Sequence, residues 1–234
     1  VVFRRRNKFD FAYMVPVIFL RAVESGLGSG DNALLGTDFK INFERHFQFY
    51  GQAVLDEFKL SEITKKSWAN KIGVQAGMKY IDVVGIKNLD MQVEWNIVRP
   101  YTYTHFDSST TYTHYNQPLA HPLGANFSDL VTIVRYQPTN KLSFESRLIY
   151  AKQGLDSSLN SSKSFGGNIF RDYRDRYELT NNTVGQGIPA RTINFNVLGS
   201  YEVKTNLYVD AALQFRNFKK GFDKPQNTLM LSVG

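Results

Sequence analysis

Apolar and polar residues alternate one for one along most of this chain, and the stretches that do so are joined by connections that are short and long in turn. Leu35, Thr37, Phe39, Ile41 and Phe43 share one parity, and Gly36, Asp38, Lys40 and Asn42 the other. Leu89, Met91, Val93, Trp95 and Ile97 oppose Asp90, Gln92, Glu94 and Asn96 in the same way. Successive side chains of a strand point to opposite sides, so this period builds a sheet with one greasy face and one polar face. Ten strands are expected, at roughly 8–20, 33–43, 47–58, 71–84, 88–103, 127–138, 142–152, 191–203, 206–218 and 227–234. No segment shows the period of an amphipathic helix.

The connections fix the topology. Glu44-Arg45-His46, Gly85-Ile86-Lys87, Thr139-Asn140-Lys141 and Lys204-Thr205-Asn206 have the polar, turn-forming residues of hairpins. Between them lie longer segments at 21–32, 59–70, 104–126, 153–190 and 219–226. In an up-and-down sheet every short turn then lies on one edge and every long loop on the other.

Alternation alone does not separate a water-soluble sandwich from a membrane barrel. Three further features lean toward the membrane. The strands, at about 11 to 16 residues, exceed the usual 5 or 6 and suit tilted strands crossing a bilayer. Short turns at one end and long loops at the other is the asymmetry of outer-membrane barrels. Aromatic residues gather at strand ends: Phe43, Phe47, Tyr136, Phe144, Tyr201 and Tyr208 beside the short turns, and Phe58, Trp68, Tyr101, Tyr103, Phe127, Tyr150 and Phe218 toward the long loops. The expected fold is therefore all-β: an antiparallel, up-and-down transmembrane β-barrel with about ten strands visible, the C-terminal part of a larger barrel. Residues 1–234 read as one outer-membrane barrel domain. Val1-Val2-Phe3 leads straight into Arg4-Arg5-Arg6-Asn7 with no signal peptide, which reads as a truncated N-terminus. The inward face is expected to carry Asp38, Lys40, Gln52, Gln75, Lys79, Asp90, Gln92, Glu94, Arg147, Asp210, Gln214 and Arg216, with cross-strand ion pairs.

Composition narrows the chemistry. The absence of cysteine excludes disulfide frameworks, thiolate metal sites and cysteine catalysis. The longest apolar run, Ala12 to Leu20, is too short for a spanning helix. A mean hydropathy of −0.32 is compatible with a barrel, which has only one apolar face. The formal charge of +7 favours anionic partners, but the basic residues are scattered among turns and form no stripe for nucleic acid.

The most distinctive segment is 101–126, which holds three of the four histidines. Its candidate ligand-binding residues are Tyr101, Tyr103, His105, Tyr112, His114, Tyr115, Asn116, Gln117 and His121. Flat rings with amide and imidazole groups suit carbohydrate. Convergence of His105, His114 and His121 on a metal is a second reading, which no carboxylate or tight spacing supports. A self-packed loop folded over or into the barrel is a third. Gly26-Leu27-Gly28-Ser29-Gly30 precedes no helix and reads as a turn, not a phosphate loop. The run from Arg171 to Glu178 reads as internal salt bridges within a solvated loop or as a contact for anionic lipopolysaccharide or acidic polysaccharide. Arg4-Arg5-Arg6 and Lys219-Lys220 read as headgroup anchors at strand ends. Ser108 or Ser109 near His105 and Asp107 is a chance arrangement, and neither enzymatic activity nor a cofactor is expected.

The segments Pro16–Glu24, Asp31–Gly36, Tyr50–Phe58, Asn96–Tyr103 and Thr113–Phe127 resemble a family of outer-membrane barrels from gliding and capsule-forming bacteria. Its members are described as Wzi-type capsule-assembly proteins or RemB-type gliding-motility proteins. The likeness runs from about residue 9 to 220, and members are longer at the N-terminus and begin with a signal peptide. The resemblance implies a non-enzymatic role at the bacterial outer membrane, in attachment of surface polysaccharide (capsule) or in gliding motility. It supplies no catalytic residues. Implied partners are outer-membrane lipid and lipopolysaccharide, surface polysaccharide and other surface proteins. The alternatives are a porin or substrate-specific channel, and a scaffold subunit of a larger secretion or uptake complex.

Overall fold

The computed structural model describes residue 32 and residues 34–107, 110–157 and 162–234. Nine long strands form one antiparallel sheet: β1 (Leu35–Phe43), β2 (Phe47–Glu57), β3 (Lys71–Tyr80), β4 (Leu89–Val98), β7 (Phe127–Thr139), β8 (Leu142–Leu155), β9 (Ile188–Lys204), β10 (Leu207–Lys220) and β11 (Gln226–Val233). A two-stranded hairpin, β5 (Thr113–His114) and β6 (Gln117–Pro118), is inserted between β4 and β7. The order in the large sheet is the order in the chain, with the hairpin set aside. Among the described residues there is no α-helix, and β1 and β11 each pair on one side only, so this sheet is open. The expected strand at 8–20 and the glycine turn at 26–30 lie outside the described residues.

The nine other expected strands are all present, with two ending early. β3 stops at Tyr80 because Asp82 and Val84 take left-handed φ values of 53° and 49° in the turn that follows. β4 stops at Val98 because Pro100 and two left-handed tyrosines, Tyr101 (66°) and Tyr103 (70°), break the extended run. The connections at 44–46, 81–88, 140–141 and 205–206 lie on one edge of the meander, and those at 58–70, 99–126, 156–187 and 221–225 on the other.

The register gives each face its character. One row of directly opposed residues runs Asp38, Gln52, Gln75, Asn96, Asp129 across β1, β2, β3, β4 and β7. The neighbouring parity gives Ile41, Phe49, Met78, Val93, Thr132, Leu148, Phe195, Phe215 and Leu229 across all nine strands. All the residues expected inward share the polar face. It carries the Glu145 carboxylate between Arg135 (2.8 Å) and Arg147 (3.0 Å), a cross-strand and a same-strand ion pair. On the same face the Tyr50 hydroxyl donates to Glu94 (2.7 Å) and accepts from Gln92 (2.8 Å).

Among the described residues the apolar face is the one left open. Even on central strands, Trp95, Leu130 and Leu148 are 45%, 39% and 38% exposed. The small buried core lies instead on the polar side, at the long-loop end. There Val98 and Phe127 meet Tyr103, Ala125 and Ile169, with Val54 and Leu123 against them. The sheet turns its polar face toward its own loops and its greasy face away from them.

Gly77 shows how tightly the polar face is built. A Cβ at this position would lie 2.2 Å from the Tyr50 ring, so the ring rests directly on the glycine backbone. Gly77→Ala is expected to push Tyr50 off Glu94 and Gln92 and to cost about 1–3 kcal/mol. Equilibrium unfolding in urea measures it, and Tyr50→Phe in the same assay separates the lost hydrogen bonds from the steric clash.

Candidate functional site

Three long loops cap one end of the polar face, and backbone needs explain how they hold together. Arg99 donates to the carbonyls of Asn70 (2.8 Å), Ser67 (3.3 Å) and Asn182 (3.4 Å), which ties 58–70 and 156–187 to the end of β4. The Asn126 amide nitrogen reaches the carbonyls of Gly154 (2.9 Å), Phe165 (3.3 Å) and Gln186 (2.8 Å), and its oxygen accepts from the Gly185 N–H (2.7 Å). The Tyr101 hydroxyl donates to the Ser164 carbonyl (2.7 Å) and accepts from the Tyr177 N–H (3.1 Å). Burial pushes the Tyr101 hydroxyl up to about 12, so it remains a donor.

Beneath the cap lies a fully buried lysine. Lys71 donates to the Thr104 carbonyl (2.9 Å) and sits 3.5 Å from Glu57 and 3.9 Å from Asp56. Its ammonium lies over the rings of Tyr173 (4.4 Å) and Trp68 (5.5 Å). Asp56 in turn accepts from the Tyr103 N–H (2.9 Å). An unpaired buried ammonium would be prohibitive, and carboxylates, a carbonyl and two π faces together offset its desolvation. This cluster fastens the 99–126 loop to β2 and β3.

Between the cap and the polar face is a cleft of about 570 Å3. Its floor is the ladder row Asp38, Gln52, Gln75 and Asn96, and Tyr103, Tyr112 and His121 overhang it. Tyr103 and Tyr112 face each other at 5.8 Å, and His121 stacks on Phe127 at 4.4 Å. The His121 ring is held at both nitrogens: Nδ1 accepts from the Leu123 N–H (3.2 Å), and Nε2 lies 3.5 Å from the buried Asp129 carboxylate. Burial raises the Tyr103 hydroxyl to about 12 as well. Asp38, Gln52 and Gln75 have no side-chain partner among the described residues. The floor thus offers free carboxylate and amide groups, which donate and accept, below a tyrosine pair.

The structure divides the nine candidate residues into three places. Tyr103, Tyr112 and His121 meet at the cleft. Tyr101 and His105 are buried in the cap, 1% and 8% exposed, and their polar atoms are used internally. His114, Tyr115, Asn116 and Gln117 form the exposed tip of the β5–β6 hairpin, where Tyr115 (φ 46°) and Asn116 (φ 57°) make a two-residue turn with both φ positive. His105, His114 and His121 therefore do not converge, and among the described residues no group of three acidic or histidine side chains could hold a metal. Ser108 and Ser109 lie outside the described residues. In the run from Arg171, Arg174 pairs with Asp172 and Arg171 with Asp156 (3.5 Å), the internal salt bridges of one of its two readings.

Lys71, Asp56 and Asn126 escaped the reading of the sequence. Their spacing is unremarkable and only the folded loops bring them together. The floor glutamines were legible as inward residues but not as part of a site.

Compared with protein-family models, curated proteins and solved structures, the chain matches none.

His105 is a pH-sensitive part of the cap. Burial first, and the Lys71 ammonium second, hold its imidazole below the ordinary 6.5, against Glu57, Asp107 and Asp172, which act the other way. A histidine depressed in the folded state contributes stability above the unfolded value, and this is lost as pH falls through the folded one. Hydrogen exchange of amides 99–107 is therefore expected to accelerate as pH drops below about 6.5, after correction for intrinsic rates. His105→Gln should flatten that dependence.

Proposed function

We propose that this chain is an outer-membrane β-barrel of the capsule-assembly or gliding-motility type, non-enzymatic, which holds surface polysaccharide in the cleft beneath its long-loop cap. The observation that carries the reading is the inversion of the sheet: among the described residues its polar face meets the loops and its apolar face meets no protein. In water such a face is an aggregation liability, whereas hydrocarbon covers it without loss. Lipid also forbids unpaired backbone groups, so in this reading further strands close the sheet between β1 and β11.

The cleft supports the glycan half of the proposal. Its volume suits a few sugar units. Its unpartnered Gln52, Gln75 and Asp38 match hydroxyls, and the half-buried Tyr112 offers a ring to a sugar face. The cap folds over this end of the polar face, which favours a holder over the alternative of an open channel.

Two measurements test the proposal. Purified protein is expected to be monodisperse in detergent, to insert into phosphatidylcholine vesicles and to aggregate in plain buffer; a monodisperse species without amphiphile would overturn the membrane assignment. Tyr112→Ala and His121→Ala should each weaken retention of capsular polysaccharide about three- to tenfold, as expected for loss of one ring contact. Tyr115→Ala at the hairpin tip should leave retention unchanged. Equal retention by all three variants would remove the cleft from the function.

A further inference from the structure

The apolar face carries one row of cations. Where β8, β9 and β10 approach the long loops, Lys152, Arg191 and Lys219 stand directly opposite one another, with Ser128 of β7 completing the row. Strand by strand the pattern is apolar, so a single row of three cations is a departure with a location. Like charges directly opposed across strands repel. Among the described residues none of the three has a carboxylate within ion-pair distance. Lys152 and Arg191 are exposed and Lys219 is half-buried, and together they border an open concavity of about 600 Å3. The Lys152 ammonium lies 5.6 Å from the Tyr150 ring, which stands two residues nearer the apolar band.

The level of the row matters as much as its charge. On β8 the outward parity reads Leu142, Phe144, Ser146, Leu148, Tyr150, Lys152. From Leu142 to Tyr150 is about 27 Å along a strand at roughly 3.4 Å per residue. Tilted by about 40°, that becomes roughly 20 Å of height, close to the apolar band of a membrane barrel. The next row inward from the cations runs Trp95, Leu130, Tyr150, Ile193, Asn217 and Asn227, its two asparagines hydrogen-bonded to each other (2.6 Å), and Trp95 donates its indole N–H to Ser128 (2.8 Å). Aromatic rings at an interface and cations one step beyond them is the order of a bilayer crossed from its core to its phosphates.

We propose that Lys152, Arg191 and Lys219 form a binding site for the phosphate groups of a phosphorylated lipid headgroup, of the lipid A class, on the outward face of the protein at its long-loop end. This rests on the membrane reading above and adds a specific lipid and a location. A phosphate dianion supplies the countercharge that the row lacks, and Arg191 at its centre can grip two phosphate oxygens at once. The acyl chains would then lie along the apolar rows below.

The test uses the full chain reconstituted in phosphatidylcholine nanodiscs, titrated with bisphosphorylated lipid A. Insertion into the nanodisc is scored first: failure to insert sinks the membrane reading, whereas insertion without lipid A selectivity sinks this inference alone. The wild type is expected to bind bisphosphorylated lipid A in preference to its dephosphorylated form. K152Q/R191Q/K219Q should bind it on the order of 100-fold more weakly, since each basic group at an anionic surface contributes roughly a fivefold factor. K141Q/K204Q, which removes two cations beside the short turns, should bind as the wild type does. Inorganic phosphate at millimolar concentration should compete little; full competition would assign the row to free phosphate and overturn the lipid proposal. Should the triple variant fail to reconstitute, R191Q alone carries the test, with an expected loss of about fivefold. Equal binding by wild type and variant, or by phosphorylated and dephosphorylated lipid, overturns the site.

Discussion

The pleat of a strand leaves no freedom in where a side chain goes, and across nine paired strands that constraint compounds. Once Ile41 is opposite Phe49 and Phe49 opposite Met78, the side taken by every residue out to Leu229 is settled, and a slip of one residue anywhere would put Asp38 or Glu94 among the leucines. The sheet therefore commits wholesale to one greasy side and one polar side. The polar side is where the loops fold, because their backbone and their charges find partners there. The greasy side keeps Trp95, Leu130 and Leu148 in the open. Fully burying residues of this size is worth roughly 1.5–3 kcal/mol each, so a face of them left to water is a large debt. Hydrocarbon is the one cover proposed here that asks nothing more of the chain.

The loop cap follows from the same division. A long loop carries polar backbone that needs partners, and these three loops supply one another's through Arg99, Asn126 and Tyr101. The buried Lys71 ammonium then pins the assembly to the sheet through Thr104 and the carboxylates of Asp56 and Glu57. The cleft is the space left between a floor that cannot tilt and a cap cross-linked in three places. Tyr103 and His121 are held by the cap and the sheet together, so the cleft is shaped before anything enters it.

How much of this the sequence disclosed depends on the range over which each feature is determined. Strand positions and faces are local, set by a period of two residues, and nine of the ten expected strands lie where alternation puts them. Strand ends were less legible, because left-handed φ at Val84, Tyr101 and Tyr103 has no signature in residues that usually avoid it. The β5–β6 hairpin was missed for the same reason, since its turn uses Tyr115 where glycine or asparagine is the usual sign. The candidate loop was found by its aromatic and histidine content, but content does not say which ring faces a ligand. Tyr112 and His121 reached the cleft, whereas Tyr101 and His105 went into the cap's interior. The Lys71 cluster was beyond reading, and of the basic row on the apolar face only Lys219 was singled out, as a headgroup anchor. Each joins residues tens of positions apart, and only register or loop packing makes them neighbours.

Nine is an odd number, and in an antiparallel meander oddness has a direction. Successive strands reverse, so β1 and β11, at the two rims, run the same way. Joining them edge to edge would create a single parallel seam in a fabric otherwise woven back and forth. An intervening strand of opposite sense, or any odd number of them, removes the seam and makes the total even. In the closed barrel we propose, whatever completes the circumference must therefore enter from the end at which both rims leave off.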